Sequence, residues 1–213
     1  ALLERLLNHH IGLGGHALLL SATLGAHART RLLNAAGGQA DDPSLAEACA
    51  TVYPAVTDLA GTPQALGRTP GHAKRVRFVL EPWLEHPERA LEAVAEALAA
   101  GGRVLVVLNT VARAIALQKA AEAHSRIPSQ ALFRCREVSC PHHGRFAPVD
   151  RELLDAAVSE RLGKGSAPGP VLLIGTQTLE QSLDIDADLL ISDLCPADVL
   201  LQRVGRLHRH ERP

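Results

Sequence analysis

Three short runs with continuous apolar cores constrain this chain most: Arg103 to Leu108, Val171 to Ile174 and Asp188 to Ser192. Each is too short for a helix and lacks the polar alternation of a half-exposed strand. Strands covered on both faces read this way, and crossover helices between parallel strands supply that cover. The intervening text supplies the helices. Pro87 to Ala100 opens on proline and stops at Gly101-Gly102. Thr110 to His124, Pro148 to Leu162 and Ala197 to Arg209 also read as helices. Strands that alternate with helices mean a parallel α/β sheet. Arg75 to Glu81 reads as a further strand, with Val76, Phe78 and Leu80 on one face, and Gln130 to Val138 as another.

The amino-terminal third is organised differently. Ala1 to Asn8 is apolar at helical spacing, and Gly12, Gly14 and Gly15 break it. His16 to Leu20 reads as a buried strand with Ser21-Ala-Thr-Leu24 at its carboxyl end, and Ala26 to Ala36 as a helix. Gly37 to Gly71 is rich in Gly, Pro, Asp and Thr and reads as a linker and irregular lead-in. The expected organisation is therefore 1–24, 25–70 and 71–213. No internal repeat stands out.

Composition narrows the function classes. The chain has 213 residues, 46% hydrophobic and 21% charged, which can fill a core. Its formal net charge of -1 gives no global basic field, so any nucleic-acid contact must be local. The only lysines are Lys74, Lys119 and Lys164; the remaining basic residues are arginines, suited to bidentate phosphate contacts. Coding bias would also produce that excess. Four irregularly spaced cysteines argue against a disulfide framework and for free thiols in the cytoplasm. No run approaches the ~20 apolar residues of a membrane span, and no signal-peptide pattern opens the chain. It starts at Ala1 and holds no methionine, so it is expected to be a piece of a longer product.

Ligands of open parallel sheets gather at the carboxyl ends of strands. There the sequence places Asn109-Thr110, His142-His143-Gly144-Arg145, Gly175-Thr176-Gln177 and Asp193. Small polar groups beside helix starts can hold phosphates through backbone N–H groups. The same residue types also cap helices. Near the end, Arg203, Arg206 and Arg209 recur three apart, on one face if the helix runs through them. Gly205 would leave room beside Arg206 for a polyphosphate or a facing domain. Such a row either neutralises a transferring phosphoryl group or is a solvated basic face. Cys135, Cys140, His142 and His143 suggest zinc, but their Cys-x4-Cys-x-His-His spacing gives poor four-ligand geometry, and no metal site is expected. Aromatics are 2% of the chain, Trp83 and Tyr53 among them, so stacking cannot be the main grip on a single strand. Backbone phosphate contacts, salt-sensitive and sequence-blind, are expected instead.

Three blocks resemble motifs III, V and VI of superfamily 2 helicases: Ser21-Ala22-Thr23, Gly175-Thr-Gln-Thr-Leu-Glu-Gln-Ser-Leu-Asp-Ile185 and Gln202-Arg-Val-Gly-Arg-Leu-His-Arg209. With Asp193-Leu-Cys-Pro-Ala-Asp198 and His143-Gly-Arg-Phe146 before Asp150-Arg151, the wording is similar to the helicase-nuclease of type I CRISPR systems. The resemblance covers nearly the whole chain and is strongest over 171–213. It implies a RecA-like second helicase lobe over 71–213 and the trailing edge of the first lobe over 1–24. It implies that Arg206 and Arg209 are arginine fingers, with Gln202 as partner. Asp184 and Arg203 would lie near the nucleotide, and Ser21 and Thr23 would couple hydrolysis to lobe movement. Asn109, Thr110, His143, Gly144, Arg145, Thr176 and Gln177 would touch single-stranded DNA. The implied cofactors are ATP and Mg2+, held mainly by the upstream lobe, and the implied partners are that lobe and an RNA-guided effector complex. Capping explains Ser21 and Thr23 equally, and a turn explains Asp184. Lys164 in Gly163-Lys-Gly-Ser166 fails as a phosphate loop, because Gly165 stands at the hydroxyl position and no strand leads in. The piece alone is thus expected to be inactive. The rival readings are another superfamily 2 lobe acting on RNA or DNA, and a non-catalytic nucleic-acid-binding module.

Overall fold

A computed structural model describes residues 2–67, 74–180 and 183–210. The chain divides into two compact units, Ala1–Ala73 and Lys74–Pro213.

The first unit carries helices α1 (Leu2–Gly12), α2 (Ala26–Ala35) and α3 (Leu45–Ala50) and an antiparallel hairpin of β1 (Ala55–Thr57) and β2 (Pro63–Ala65). Ser44 and Glu47 start α3 with reciprocal side-chain-to-backbone bonds, which satisfy two otherwise orphaned N–H groups. The segment read as a linker therefore holds a helix and a hairpin; its residues 68–71 lie outside the described ones. His16 to Leu20 is not a strand, and Leu18 and Leu20 are 77% and 85% exposed. An apolar run becomes a buried strand only where neighbours complete its ladder and cover its faces. No described strand pairs with this one.

The second unit runs α4 (Pro87–Ala99), β3 (Arg103–Val107), α5 (Val111–Glu122), β4 (Arg134–Cys135), β5 (Val138–Ser139), α6 (Pro148–Leu162), β6 (Val171–Gly175), β7 (Leu189–Ser192) and α7 (Ala197–Val204). Its parallel sheet has the order β6-β3-β7, with Val107 opposite both Gly175 and Ser192. Side chains alternate across it. Val104, Val106, Leu172 and Ile174 pack with Leu91, Val94 and Leu98 of α4 and Ala114 and Leu117 of α5. Leu105, Val107, Val171 and Leu173 pack on the opposite side with Leu154, Val158 and Leu162 of α6. Cover on both faces explains the uninterrupted apolar runs. Each of the valine, leucine and isoleucine side chains contributes about 1.5–3 kcal/mol of burial.

Three expectations need correction. Arg75 to Glu81 forms no strand: its backbone joins no ladder, Phe78 and Leu80 are exposed, and only Val76 packs on the core. Gln130 to Val138 breaks into a 3-10 turn at Ser129–Ala131 and the β4–β5 hairpin. Arg136 and Glu137 make that turn at φ 47° and 66°, the left-handed geometry of a tight hairpin. Finally, α7 ends at Val204 rather than running to Arg209.

Candidate functional site

Parallel strands deliver their carboxyl ends to one edge, and there the dispersed polar residues meet. The Asn109 N–H donates to the Asp193 carboxylate at 2.8 Å, and its amide donates to the Leu194 carbonyl at 2.9 Å. The Gln177 amide donates to the Asn109 carbonyl at 3.2 Å, and Arg113 pairs with Asp193. Thr110 caps α5, accepting from the Arg113 N–H at 3.4 Å. Thr176 is 2% exposed, and its N–H donates to the His142 carbonyl at 3.0 Å. Asn109, Thr110, Gly144, Arg145 and Gln177 are open to solvent. His143 is buried and stacks on Phe146 with ring centroids 4.4 Å apart.

Beneath this edge lies Arg203 of α7, 1% exposed. Its guanidinium donates to Glu180 at 2.8 and 2.6 Å, to the Ser192 hydroxyl at 2.7 Å, to the Asp193 carbonyl at 3.1 Å and to Asn109 Oδ1 at 3.1 Å. One side chain thereby ties the ends of β3 and β7 to the turn after β6. Its donors are engaged inside the lobe rather than turned to a ligand.

The arginine row is not a helical face. With α7 ending at Val204, Arg206 sits in the following turn and Arg209 beyond it. The space Gly205 leaves faces the carbonyls of Gln202 and Leu201 in its own last helical turn. Arg206 is buried and donates to the Leu183 carbonyl and, at 2.5 Å, to the Glu180 carbonyl. Burial, reinforced by the Arg209 charge, lowers its pKa, only partly offset by Asp184 and Glu180. Arg209 is partly exposed, 2.8 Å from Asp184, which also meets His210 at 2.8 Å. The tail is held by backbone: the Ala187 N–H donates to the Arg206 carbonyl and the His208 N–H to the Ala187 carbonyl. Gln202 lies half-buried on α7.

His142, which the sequence places in a strand-end cluster and weighs as a metal ligand, has a structural role that its sequence does not reveal. It is fully buried, and its backbone bridges Gly175 at the edge of β6. Its Nε2 lies 2.7 Å from Asp155 Oδ1 of α6 and its Nδ1 lies 2.8 Å from Thr178 Oγ1. Burial lowers its pKa against the opposing pull of Asp155. A neutral ring donating from Nε2 and accepting at Nδ1 satisfies both partners. Both nitrogens are therefore occupied without a metal, and Cys135 and Cys140 pack against the core on the α6 side of the sheet. Among the described residues no group of three or more His, Cys, Asp or Glu is placed to hold a metal ion.

Ser21 and Thr23 lie in the first unit, where the Thr23 N–H donates to the Ser21 hydroxyl at 3.2 Å in an exposed local turn. Lys164 follows α6, not a strand. Among the described residues no helix is long and apolar enough to cross a membrane.

Comparison with known proteins gives this geometry a context. Residues 100–212 match the family model described as CRISPR-associated nuclease/helicase Cas3, C-terminal. A CRISPR-associated endonuclease/helicase Cas3 of Thermus thermophilus is 34% identical over the whole chain, which spans 26% of that relative. The crystal structure of T. fusca Cas3-AMPPNP superposes on 98% of the chain and 25% of its own, with a TM-score of 0.75 at 27% identity. A structure of a CRISPR RNA-guided surveillance complex, pre-nicking, matches 98% of the chain and 27% of its own, with a TM-score of 0.66 at 28% identity. The fold is thus the RecA-like α/β fold of these helicases. The family match, covering more than half of a chain whose polar groups converge on one sheet edge, leads to one assignment: this chain belongs to the family of the CRISPR-associated nuclease/helicase Cas3, within its C-terminal region.

Proposed function

We propose that residues 71–213 form the second motor lobe of an ATP-dependent helicase that moves along single-stranded DNA in CRISPR defence. On this reading residues 1–24 trail from the first lobe. ATP with Mg2+, held mainly by that upstream lobe, supplies the transferable phosphoryl group. Arg206 and Arg209 act on the charge developing there, with Gln202 beside them and Asp184 orienting Arg209. Ser21 and Thr23 pass hydrolysis on to lobe movement. Asn109, Thr110, His143, Gly144, Arg145, Thr176 and Gln177 line the DNA side, His143 by shaping its loop. Arg203 joins the two sides as a positioning residue. An RNA-guided effector complex delivers the DNA, in the cytoplasm.

One observation supports this most. Arg206 is a buried cation whose direct partners in the structure are neutral carbonyls, and burial depresses its pKa. A phosphate oxygen would compensate that charge better than a carbonyl does. The chemistry of the site thus fits an arriving anion. A continuous chain of contacts also runs from Asn109 through Arg203 and Glu180 to Arg206. The test is ATP hydrolysis by the full native protein, with and without single-stranded DNA, beside Arg206→Ala. Stimulation by DNA and a loss of ~10³ in turnover in the variant are expected. An unaffected variant would remove the arginine-finger role.

A further inference from the structure

We infer that His142 is a positioning residue for single-strand binding: its buried ring locks the 143–146 loop and the Gln177–Leu179 turn into one arrangement. The inference rests on the proposed DNA-binding edge and names the group that sets its shape. Three elements meet at this ring. Asp155 holds it from α6, with Arg151 pairing the same carboxylate oxygen at 3.0 Å. Thr178 meets its other nitrogen from the turn after β6. The His142 backbone bonds that strand on both sides, donating to the Ile174 carbonyl at 2.8 Å and accepting from the Thr176 N–H. Gly144 lies two residues on, its missing side chain directed at the Thr178 methyl: an added Cβ would lie 3.6 Å away. Exposed Gly144 is thereby set against Thr178, next in sequence to exposed Gln177, although more than thirty residues separate the two segments.

Such a lock acts on affinity rather than turnover. A loop that samples several arrangements binds a strand only in the competent fraction, so apparent affinity falls with that fraction. Chemistry at saturating DNA is left alone. The charged groups facing the ring are Asp155 and Arg151 from α6 and His143 from its own loop. Protonating His142 would turn Nδ1 into a second donor, which the Thr178 hydroxyl can accept while it donates to the His142 carbonyl at 3.3 Å, so the contacts hold in either charge state.

The test uses the full native protein and reads DNA-stimulated ATP hydrolysis against the concentration of a single-stranded oligonucleotide. His142→Leu keeps bulk and loses both ring bonds; Thr178→Val removes one end of the lock on a less buried residue. Each should raise the half-saturating DNA concentration about tenfold, with turnover at saturation within about twofold of the parent. The double variant should be no worse than His142→Leu, because both cut the same link. Unchanged half-saturation in Thr178→Val, or additive effects in the double variant, overturns the inference while leaving the motor reading intact. Absence of DNA stimulation in the parent sinks the motor reading, and this inference with it. If His142→Leu lowers the melting temperature, Thr178→Val alone decides between these outcomes.

Discussion

The two ends of the parallel sheet each contain a buried arginine, and the two do different things. At the amino end Arg103, 3% exposed, donates to the Ser166 and Ala167 carbonyls, and its N–H donates to Asp188 at 2.8 Å. It closes one loop against one strand. At the carboxyl end Arg203 meets a carboxylate, a hydroxyl, a carbonyl and an amide from three segments. Equal burial thus serves closure at one end and connection at the other. Glu180, itself buried, makes the Arg203 contact an ion pair, so neither partner tolerates loss of the other.

Substitutions at matched places can break this comparison. Arg203→Met should be the most damaging, costing about 3–5 kcal/mol because it leaves Glu180 buried and uncompensated. Denaturant unfolding measures it, and a smaller loss than Arg103→Met would invert the argument. Gly175→Ala should follow at about 3 kcal/mol, since the new Cβ would lie 2.4 Å from the His142 carbonyl and 2.5 Å from Leu179. Arg103→Met should cost about 2 kcal/mol, the scale of charged hydrogen bonds to carbonyls. Its counterpart Gly102→Ala should cost about 1 kcal/mol, the nearest contact being the Ala97 carbonyl at 2.9 Å.

Acidification gives the mildest probe, and it singles out the carboxyl end. Burial lowers the pKa of both His142 and His143 in the folded lobe. As pH falls past about 6.5, the unfolded chain therefore takes up protons first. The stabilisation is complete above that pH and is lost as pH falls through the folded values. Amide exchange should accelerate at residues 174–179 before it does at 103–105. Simultaneous acceleration would show that the two ends open as one.

What the sequence revealed follows from what locality can encode. A strand's end is a local property, and parallel register brings such ends together, so Asn109, Gln177 and Asp193 could be assigned to one edge from periodicity alone. Capping is local too, and Thr110 was readable as a cap. The His142 lock was not readable, because its partners lie 13 and 36 residues away and no spacing rule links them. Arg206 and Arg209 were singled out by their spacing, and the helical arrangement expected of them was wrong: the helix stops at Val204, and periodicity does not register where a regular pattern stops being helical. His16 to Leu20 has the right composition for a buried strand. What it lacks among the described residues, a pairing neighbour, is a property of other residues.

The backbone bonds that flank Ala187 have a consequence in time. The tail at 206–208 is stitched to the segment leading into β7, so its main chain cannot swing independently of the sheet. The guanidinium of Arg209, partly exposed, can reorient within picoseconds to nanoseconds, as surface side chains do. Any step that must carry the Arg206 backbone to a new place waits for the lobe to travel as a body, on the scale of microseconds to milliseconds. Two neighbouring arginines are thus governed by clocks at least a thousandfold apart, about the ratio of those two ranges.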